Sequence, residues 1–477
     1  MESRAGILFK REILVVGGGP GGSITATLLA REGMDVRLIE RERFPRYHIG
    51  ESLAPSTRAI LDLIGVSEEL DRKGFQKKRG GVFRWGKDAW TIDWIQLFGD
   101  KVKSWQVDRD AFDAILLDKA RESGVQVTEE VTAKRVSFTG ERPTAVHGTG
   151  KDGRDFTIDG FDHLIDASGR YGLLSAKHLK NRRAHQRFRN VAIWGYWKGG
   201  RSLPGTPEGG TGVISTPEGW WWVIPLAGER TSVGFVTHKD VFARRRTEHR
   251  SADELYHALL RETPVVQELT EGFAYIEPTR VETDYSYVAD RFSGPGYMMV
   301  GDAACFLDPL LSTGAHLAVY SGFVASAAIS SMARGEVSAA EGEQFFEMSF
   351  RRAYSRMLSL VSFMYDQHNG RDDIFGTADR LAGNGLAGDD KPAVPASFGE
   401  IIAGLTDMRE ASDAAGRVRS SVLKHGARGA VETADGHGGE SPDFKILHSS
   451  PAEDDAVMGL RLVTEPRLGL GRVDQER

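Results

Sequence analysis

The segment EILVVGGGPGG, residues 12–22, decides the fold. Residues 12–16 form a short apolar run with β-branched side chains that stops at glycines, which predicts a buried parallel strand. A helix is predicted from Gly21 to about Arg31, with a second strand over 35–40. Strand, helix and strand at this spacing form a βαβ unit, so the sequence predicts an α/β fold with a parallel sheet.

The glycines between the first strand and the helix fit the pattern G-x-G-x-x-G. Gly17 permits a tight turn, Gly19 lets the backbone approach a pyrophosphate, and Gly22 allows close helix–strand packing; Pro20 lies in the same turn. Glu40 ends the second strand, where a carboxylate binds the hydroxyls of an adenosine ribose. These residues predict a Rossmann-type dinucleotide site at the helix N-terminus.

Two later segments favour FAD over NAD as the dinucleotide. Asp302 follows an apolar strand over 297–300 and resembles the aspartate that contacts the flavin ribityl chain in FAD monooxygenases. Arg109, within DRDAFD at 108–113, resembles an arginine of the same superfamily that lies near the cofactor. Without the resemblance, Asp302 marks a plain strand-to-helix turn and Arg109 a surface ion pair.

Composition excludes several classes of function. The chain has 477 residues, enough for roughly two or three domains, and a net charge of −6, which favours neither nucleic acid nor an anionic membrane as partner. A single cysteine, Cys305, excludes an intrachain disulfide and favours the cytoplasm. The sequence has no apolar run of about eighteen residues, so we expect no transmembrane helix, and we predict no metal site.

The domain organisation is predicted from changes in pattern along the chain. Residues 1–335 are predicted to form the FAD-binding module, with an inserted antiparallel substrate sheet from about 78–107 and 188–290. Residues 336–424 are predicted to be a C-terminal helical region. Residues 425–477 are predicted to be a flexible polar tail or a partly ordered cap, because the stretch after Leu423 is rich in Gly, His, Glu, Asp and Ser.

From about residue 10 to 380 the sequence resembles the flavin-dependent halogenases of the FAD monooxygenase superfamily. Residues 219–225, GWWWVIP, contain W-x-W-x-I-P at Trp220, Trp222, Ile224 and Pro225. Residues 44–53, FPRYHIGESL, which include Arg46 as a cofactor-binding residue, resemble the family's loop after the second strand. The resemblance implies that the rings form a barrier between flavin and substrate that a small halide passes. Taken alone, three tryptophans on one strand could simply be core.

Two further segments carry the chemistry that the resemblance implies. KRGGVFRWG, at 78–86, places Lys78 at the family's catalytic amine, although Lys78 could also belong to a solvated basic loop. DPLLSTGAH, at 308–316, places Thr313 and Gly314 at the family's halide-binding pair, where the alternative is a plain helix N-cap.

Several residues differ from the pattern of the tryptophan halogenases, and these differences help to predict the class of substrate. Tryptophan halogenases carry a glutamate where Leu311 stands, so deprotonation of the ring must depend on another base or on water. Ala315-His316 and, weakly, residues 365–375 resemble the phenol- and pyrrole-directed branch, whereas Gly376 replaces an expected aromatic residue.

The sequence thus predicts a halogenase that uses FADH2 to make hypohalous acid from O2 and chloride or bromide. Expected partners are a separate flavin reductase and a small aromatic substrate, phenolic or pyrrolic, either free or bound to an acyl or peptidyl carrier protein. One alternative is a monooxygenase, hydroxylase or double-bond reductase that uses NAD(P)H, although the sequence shows one nucleotide fingerprint rather than two. A second alternative is a non-catalytic flavin-binding protein.

Overall fold

The computed structural model describes residues 11–99, 102–366 and 457–473. Within these residues the strands are β1 (Glu12–Val16), β2 (Asp35–Ile39), β3 (Gln76–Lys78), β4 (Gly80–Trp85), β5 (Asp88–Asp93), β6 (Ser104–Gln106), β7 (Gln126–Thr128), β8 (Thr132–Thr139), β9 (Arg142–Thr149), β10 (Asp155–Asp159), β11 (His163–Asp166), β12 (Arg182–Lys198), β13 (Thr211–Thr216), β14 (Gly219–Leu226), β15 (Arg230–His238), β16 (Ala274–Tyr275), β17 (Arg280–Ala289), β18 (Ser293–Gly294), β19 (Tyr297–Met299), β20 (Cys305–Phe306), β21 (Leu460–Val463) and β22 (Gly469–Arg472).

The helices within the same residues are α1 (Pro20–Arg31), α2 (Pro55–Leu63), α3 (Ser67–Lys73), α4 (Trp94–Phe98), α5 (Arg109–Glu122), α6 (Lys239–Thr247), α7 (Ala252–Arg261), α8 (Pro264–Thr270), α9 (Thr313–Arg334) and α10 (Ala339–Asp366).

Two large sheets form the frame. The first has the order β18-β19-β11-β1-β2-β7, and its strands are parallel except for the pair β18–β19. The second has the order β20-β17-β12-β15-β14-β13-β4-β5, with β16 beside β12, and is antiparallel except for β13–β4. The α/β class, the Rossmann-type module and the antiparallel sheet are therefore confirmed.

Local sequence explains how the first unit folds. Residues Ile13 to Val15 are fully buried, as expected for a central parallel strand. Pro20 is the first residue of α1, where its missing N–H costs no hydrogen bond. The helix packs against α9 and α5, so the βαβ unit lies in the centre of the main apolar core.

Two predicted elements differ from the structure. The sequence pattern over 54–73 predicts one helix, but the structure has two, because the chain turns at Gly65, which has φ of 72°. The strands of the antiparallel sheet expected over about 78–107 are interrupted by α4. Asp93 caps this short helix by accepting hydrogen bonds from the backbone N–H groups of Ile95 and Gln96.

The prediction of a flexible polar tail is wrong for residues 457–473. β21 and β22 form a hairpin whose leucines, at 460, 462, 468 and 470, are buried against α9 and its surroundings. The backbone N–H of Leu470 donates to Ser331 Oγ at 2.7 Å. These leucines bury the apolar area that holds the hairpin in place. The prediction missed them because it relied on the polar composition of the residues before 455. The predicted helical region is described only as far as Asp366, so residues 367–424, including Gly376, lie outside the described residues.

One described helix, α9, is long and apolar enough to cross a membrane, but 83% of its most apolar window is buried inside the protein. It is the central core helix, packed between α1 and α10. Among the described residues, no cluster of His, Cys, Asp or Glu is arranged to hold a metal ion.

Candidate active site

A cavity of about 560 Å³ connects the two sheets. Its lining includes the turn after β1, the loop after β2, the turn after β19 and the start of α9, together with side chains of β12 and β14. In open parallel sheets ligands bind beyond the carboxyl ends of the strands, which is where these turns meet.

The turn after β1 fits a dinucleotide pyrophosphate. Gly17 has φ of 109°, and a Cβ there would lie 2.2 Å from the carbonyl oxygen of Ala167, so only glycine fits. Gly22 is equally constrained, because its Cβ would lie 1.9 Å from the Gly17 oxygen. A Cβ on Gly19 would meet only Arg46 Nη2, at 3.7 Å, which leaves this backbone open to the cavity.

Glu40 is held rigidly at the end of β2. Its Oε2 accepts a hydrogen bond from the backbone N–H of Gly18 at 2.6 Å, and its Oε1 accepts from the N–H of Glu42 at 2.9 Å. The carboxylate lines the cavity beside the glycine turn, as a ribose-binding group requires.

Arg46 and Arg109 converge on one buried carboxylate, Asp113. Arg109 donates to both Asp113 oxygens, at 2.8 and 3.0 Å, and Arg46 donates to Oδ2 at 2.8 Å. Burial by itself would raise the pKa of Asp113, but the two guanidinium groups more than offset it and hold the pKa below its ordinary value. Arg109 also donates to the carbonyl oxygens of Ile49 and Gly50.

This cluster is buried, so the alternative of a surface ion pair for Arg109 is wrong. It fastens the loop of residues 44–53 to α5 and thereby shapes one wall of the cavity. We did not predict Asp113 from the sequence, although its position four residues after Arg109, one helical turn further along, was a usable signal.

Asp302 lies in the turn after β19 and lines the cavity. Burial raises the pKa of its carboxyl to about 6, against the opposing influence of Arg170, Arg109 and Arg182. The position fits a polar contact to the flavin side chain, and the carboxyl contributes little fixed negative charge when it is protonated.

Lys78 is buried, with 5% of its surface exposed, so it does not belong to a solvated loop. Its Nζ donates to Ser52 Oγ at 2.6 Å and to the Leu53 carbonyl oxygen at 3.4 Å, and it lies 5.1 Å from the centre of the Trp94 ring. Burial lowers the pKa of the Lys78 amine to about 7. Ser52 lines the cavity and Lys78 lies behind it, so Ser52 is a site residue that we did not predict.

The tryptophans of β14 divide between two faces. Trp220, Trp222 and Ile224 line the cavity, whereas Pro225 does not, because alternate residues of a strand point to opposite faces. Pro225 therefore lies on the opposite face of β14 from the other three predicted barrier residues, and its part in a barrier stays a prediction. Trp194 of β12, which we did not predict, completes this tryptophan wall with a ring centre 6.2 Å from that of Trp222.

Thr313 and Gly314 begin α9 and line the cavity. Ser312 occupies the N-cap position in the left-handed conformation (φ 56°), and its side chain makes no capping hydrogen bond. Among the described residues Thr313 Oγ1 is buried with no hydrogen-bond partner. A buried hydroxyl at the positive end of a 22-residue helix suits an anion.

The loop before α9 is fixed by Asp308. Its Oδ1 accepts from the backbone N–H of Leu310, and its Oδ2 accepts from Asn190 Nδ2 at 2.7 Å and Tyr365 Oη at 2.8 Å. Leu311, where a glutamate stands in tryptophan halogenases, is a buried apolar residue.

Comparison with known proteins agrees with this geometry. The family model described as tryptophan halogenase matches residues 12–104 and 101–384. A tryptophan 2-halogenase from Chondromyces crocatus is 38% identical over 508 residues, covering 98% of this chain and 95% of the relative. A sulochrin halogenase from Aspergillus terreus is 34% identical over 400 residues, covering 78% and 73%.

Solved structures give the same result. The myxobacterial chondrochloren halogenase, an FAD-dependent enzyme, superposes with a TM-score of 0.69 at 31% identity, covering 83% of this chain and 97% of that one. Another flavin-dependent halogenase, CmlS, gives a TM-score of 0.71 at 29% identity, with coverage of 85% and 78%. The glycine turn, the tryptophan wall and these matches lead to one conclusion. The chain belongs to the flavin-dependent halogenase family and is an FAD-dependent enzyme.

Proposed function

We propose that the enzyme uses FADH2 from a separate flavin reductase, with O2 and chloride or bromide, to halogenate an electron-rich aromatic ring through Lys78. The main support for this proposal is the position of the Lys78 side chain. Its amine is buried directly behind Ser52, which lines the same cavity as the glycine turn and the N-terminus of α9.

Gly17, Gly19, Glu40 and Asp302 would hold FAD, since all four line the cavity. Bound reduced FAD supplies the two electrons that reduce O2 and thereby the oxidising power that converts halide to hypohalous acid. The protein supplies the cavity in which this chemistry occurs, and side chains that would bind the halide and orient the oxidant.

Thr313 and Gly314 would hold the halide. The unpartnered Thr313 hydroxyl and the free backbone N–H groups in the first turn of α9 donate to an anion, and the adjacent Leu311 adds no negative charge. Asp308 is close in sequence, but its oxygens already accept the hydrogen bonds of Leu310, Asn190 and Tyr365.

The tryptophan wall would separate oxidant formation from oxidant use. Trp194, Trp220 and Trp222 are buried, and neighbouring ring centres lie 6.1 to 6.2 Å apart. Rings packed at this spacing exclude an organic substrate more strongly than a small halide or hypohalous acid.

Lys78 would orient hypohalous acid. A protonated amine has three N–H donors; among the described residues Ser52 Oγ and the Leu53 carbonyl accept two of them, which leaves one for the oxidant. Because its pKa is about 7, the neutral amine that can attack halogen directly is also well populated at neutral pH.

The substrate would be a phenol or a pyrrole-type ring, free or bound to a carrier protein. Leu311 removes the carboxylate of tryptophan halogenases, which favours rings activated by their own oxygen or nitrogen. The relative named tryptophan 2-halogenase is compatible with this class, because C2 of indole belongs to its five-membered, nitrogen-containing ring. The test panel therefore includes L-tryptophan.

The test is a turnover assay with purified FAD-loaded enzyme, a flavin reductase, and chloride or bromide. Substrates are L-tryptophan, simple phenols and pyrroles, and phenol- and pyrrole-carboxylates loaded on a carrier protein. We expect a halide-dependent mass increase of one halogen on at least one of them. Hydroxylation without halide as the sole product would defeat the proposal, and NADPH oxidation without the reductase would favour a monooxygenase.

A further inference from the structure

The end of α10 reaches the active site through one side chain, Tyr365, which the chemistry described above leaves unused. Tyr365 is half-buried and is the last residue but one of the helix. Its ring packs edge-on against the rings of Trp85 and Phe188, with centres 6.2 and 5.5 Å away. Trp85 Nε1 also donates to the Met364 carbonyl oxygen at 2.8 Å, which fastens the last turn of α10 to β4. These contacts hold the Tyr365 hydroxyl in a fixed place.

The Tyr365 hydroxyl makes three hydrogen bonds, and the partners fix their direction. Trp220 Nε1 donates to it at 2.7 Å, and Asn190 Nδ2 donates to it at 3.1 Å. Indole and amide N–H groups only donate, so both lone pairs of the hydroxyl are used and its single proton goes to Asp308 Oδ2, at 2.8 Å. The hydrogen-bonding capacity of the hydroxyl is then complete, so Tyr365 acts on its partners rather than on a ligand.

One of these partners belongs to the tryptophan wall. Each indole N–H of the wall donates to a different hydroxyl: Trp194 to Tyr47 at 2.9 Å, Trp222 to Ser232 at 3.1 Å, and Trp220 to Tyr365 at 2.7 Å. Ser232 lies on β15, beside β14 in the same sheet, whereas Tyr365 comes from a helix outside the sheet. The position of the Trp220 ring therefore depends on α10 as well as on the sheet.

Another partner, Asp308, begins the segment of residues 308–313, here called the halide loop. Asp308 is fully buried, and its Oδ1 accepts from the Leu310 N–H at 3.1 Å, which closes the turn that leads into α9. Burial raises the pKa of its carboxyl to about 6, and hydrogen bonds from Asn190, Tyr365 and the Leu310 N–H oppose that rise. The carboxyl is therefore mostly ionised at neutral pH, and a buried carboxylate needs its donors to stay in place.

We propose that Tyr365 is a positioning residue for halogenation, whose hydroxyl holds the Trp220 ring and the halide loop in one arrangement. The inference rests on the proposed function, in which Trp220 belongs to the barrier and Thr313 binds the halide. Because one hydroxyl joins the two, halide affinity and containment of the oxidant are linked.

Removal of this hydroxyl has a definite physical consequence. In Tyr365→Phe the ring keeps its contacts with Trp85 and Phe188, but the Trp220 N–H loses its acceptor and Asp308 loses a donor. Buried polar groups without partners are unfavourable, so the Trp220 ring and the Asp308 carboxylate will shift towards new partners. The halide loop and the tryptophan wall should then both loosen while α10 keeps its packing.

The test compares Tyr365→Phe with Tyr354→Phe. Tyr354 is a buried tyrosine of the same helix whose hydroxyl lies 2.6 Å from His185 Nε2, and it fastens α10 to β12. Within the described part of the chain it has no hydrogen bond to Trp220 or Asp308, so it is a matched control. Each FAD-loaded enzyme is supplied with flavin reductase, O2 and bromide. KM for bromide is taken from the bromination of monochlorodimedone, and H2O2 release is measured with a peroxidase-coupled dye.

We expect Tyr365→Phe to raise KM for bromide about tenfold and H2O2 released per bromination about fivefold, with FAD affinity within about twofold of the wild type. Tyr354→Phe should match the wild type in all three quantities. The inference is overturned if Tyr365→Phe matches the wild type in KM for bromide and in H2O2 release. It is also overturned if Tyr354→Phe shows the same changes, since fastening of α10 alone would then explain them. A wild type that brominates nothing defeats the proposed function instead.

A double-mutant cycle tests the link between the two ends. In a Trp220→Phe background the ring has no N–H to donate, so Tyr365→Phe should add nothing to H2O2 release but should still raise KM for bromide through Asp308. Additive effects of the two substitutions on H2O2 release would overturn the inference.

A further measurement needs no turnover. Bromide binding to the resting enzyme is followed as a rise in thermal stability, relative to gluconate at equal ionic strength. Tyr365→Phe should need about tenfold more bromide than the wild type for the same rise. Identical curves for the two proteins would overturn the inference.

Discussion

The glycine turn lines the cavity, and Lys78 lies next to it behind Ser52. The two regions differ in whether backbone or side-chain groups form them. The glycine turn offers the backbone of Gly17 and Gly19, and the Glu40 side chain beside it comes from the end of the same βαβ unit. The Lys78 region is made of groups from β3, the loop of residues 44–53 and α4. On the proposed function, cofactor binding belongs to the first region and halogen transfer to the second, so substitutions in one region should spare the other.

The largest expected effect is at Lys78. Lys78→Met keeps an apolar chain of similar length in a buried position, so FAD binding should stay within about threefold of the wild type. Product formation should fall by about 1,000-fold, or about 4 kcal/mol of transition-state stabilisation. Single-turnover product analysis and flavin fluorescence titration measure the two quantities. Lys77→Met, the exposed neighbour in β3, is the control that should retain activity; FAD loss in Lys78→Met would show that the two regions are coupled.

The same substitution should change how stability depends on pH. Burial lowers the folded-state pKa of Lys78 to about 7, so between pH 7 and the unfolded value near 10.5 the unfolded chain binds more protons than the folded one. The free energy of unfolding of the wild type should therefore rise with pH across this window, by about 3 kcal/mol between pH 7 and 9.5, relative to Lys78→Met. Urea denaturation of both proteins checks this, and parallel curves would contradict the burial of a charged amine.

On the cofactor side, Gly17→Ala should weaken FAD binding by about 100-fold and lower stability, because the added methyl group meets the Ala167 oxygen in a backbone conformation with positive φ. Gly19→Ala has room for its methyl group, so it should fold like the wild type and lose FAD affinity alone. Thermal unfolding and FAD titration distinguish the two variants. Equal stability of both would remove the steric argument for Gly17.

The smallest effect is expected at the halide site. Thr313→Val keeps the shape but removes the unpartnered hydroxyl, so KM for chloride should rise about tenfold with little change in FAD affinity. Thr313→Ser should restore the wild-type value. A Thr313→Val enzyme with unchanged halide dependence would leave only the backbone N–H groups of α9 as halide donors.

The sequence alone was sufficient for the βαβ unit, the glycine turn, Glu40 and the family, because these depend on residues that are neighbours in the chain and on backbone rules that hold wherever the pattern occurs. It also placed Thr313 at the start of a helix and indicated Lys78 through a motif. The hairpin of residues 457–473 escaped prediction because its leucines follow a long polar segment.

Only the tertiary structure decided which side chains meet. The burial of Lys78 behind Ser52 joins β3 to the loop of residues 44–53, and the tryptophan wall joins Trp194 of β12 to β14. The pKa values that matter for the chemistry follow from this burial, since desolvation depends on what surrounds a group in space and not on its neighbours in sequence.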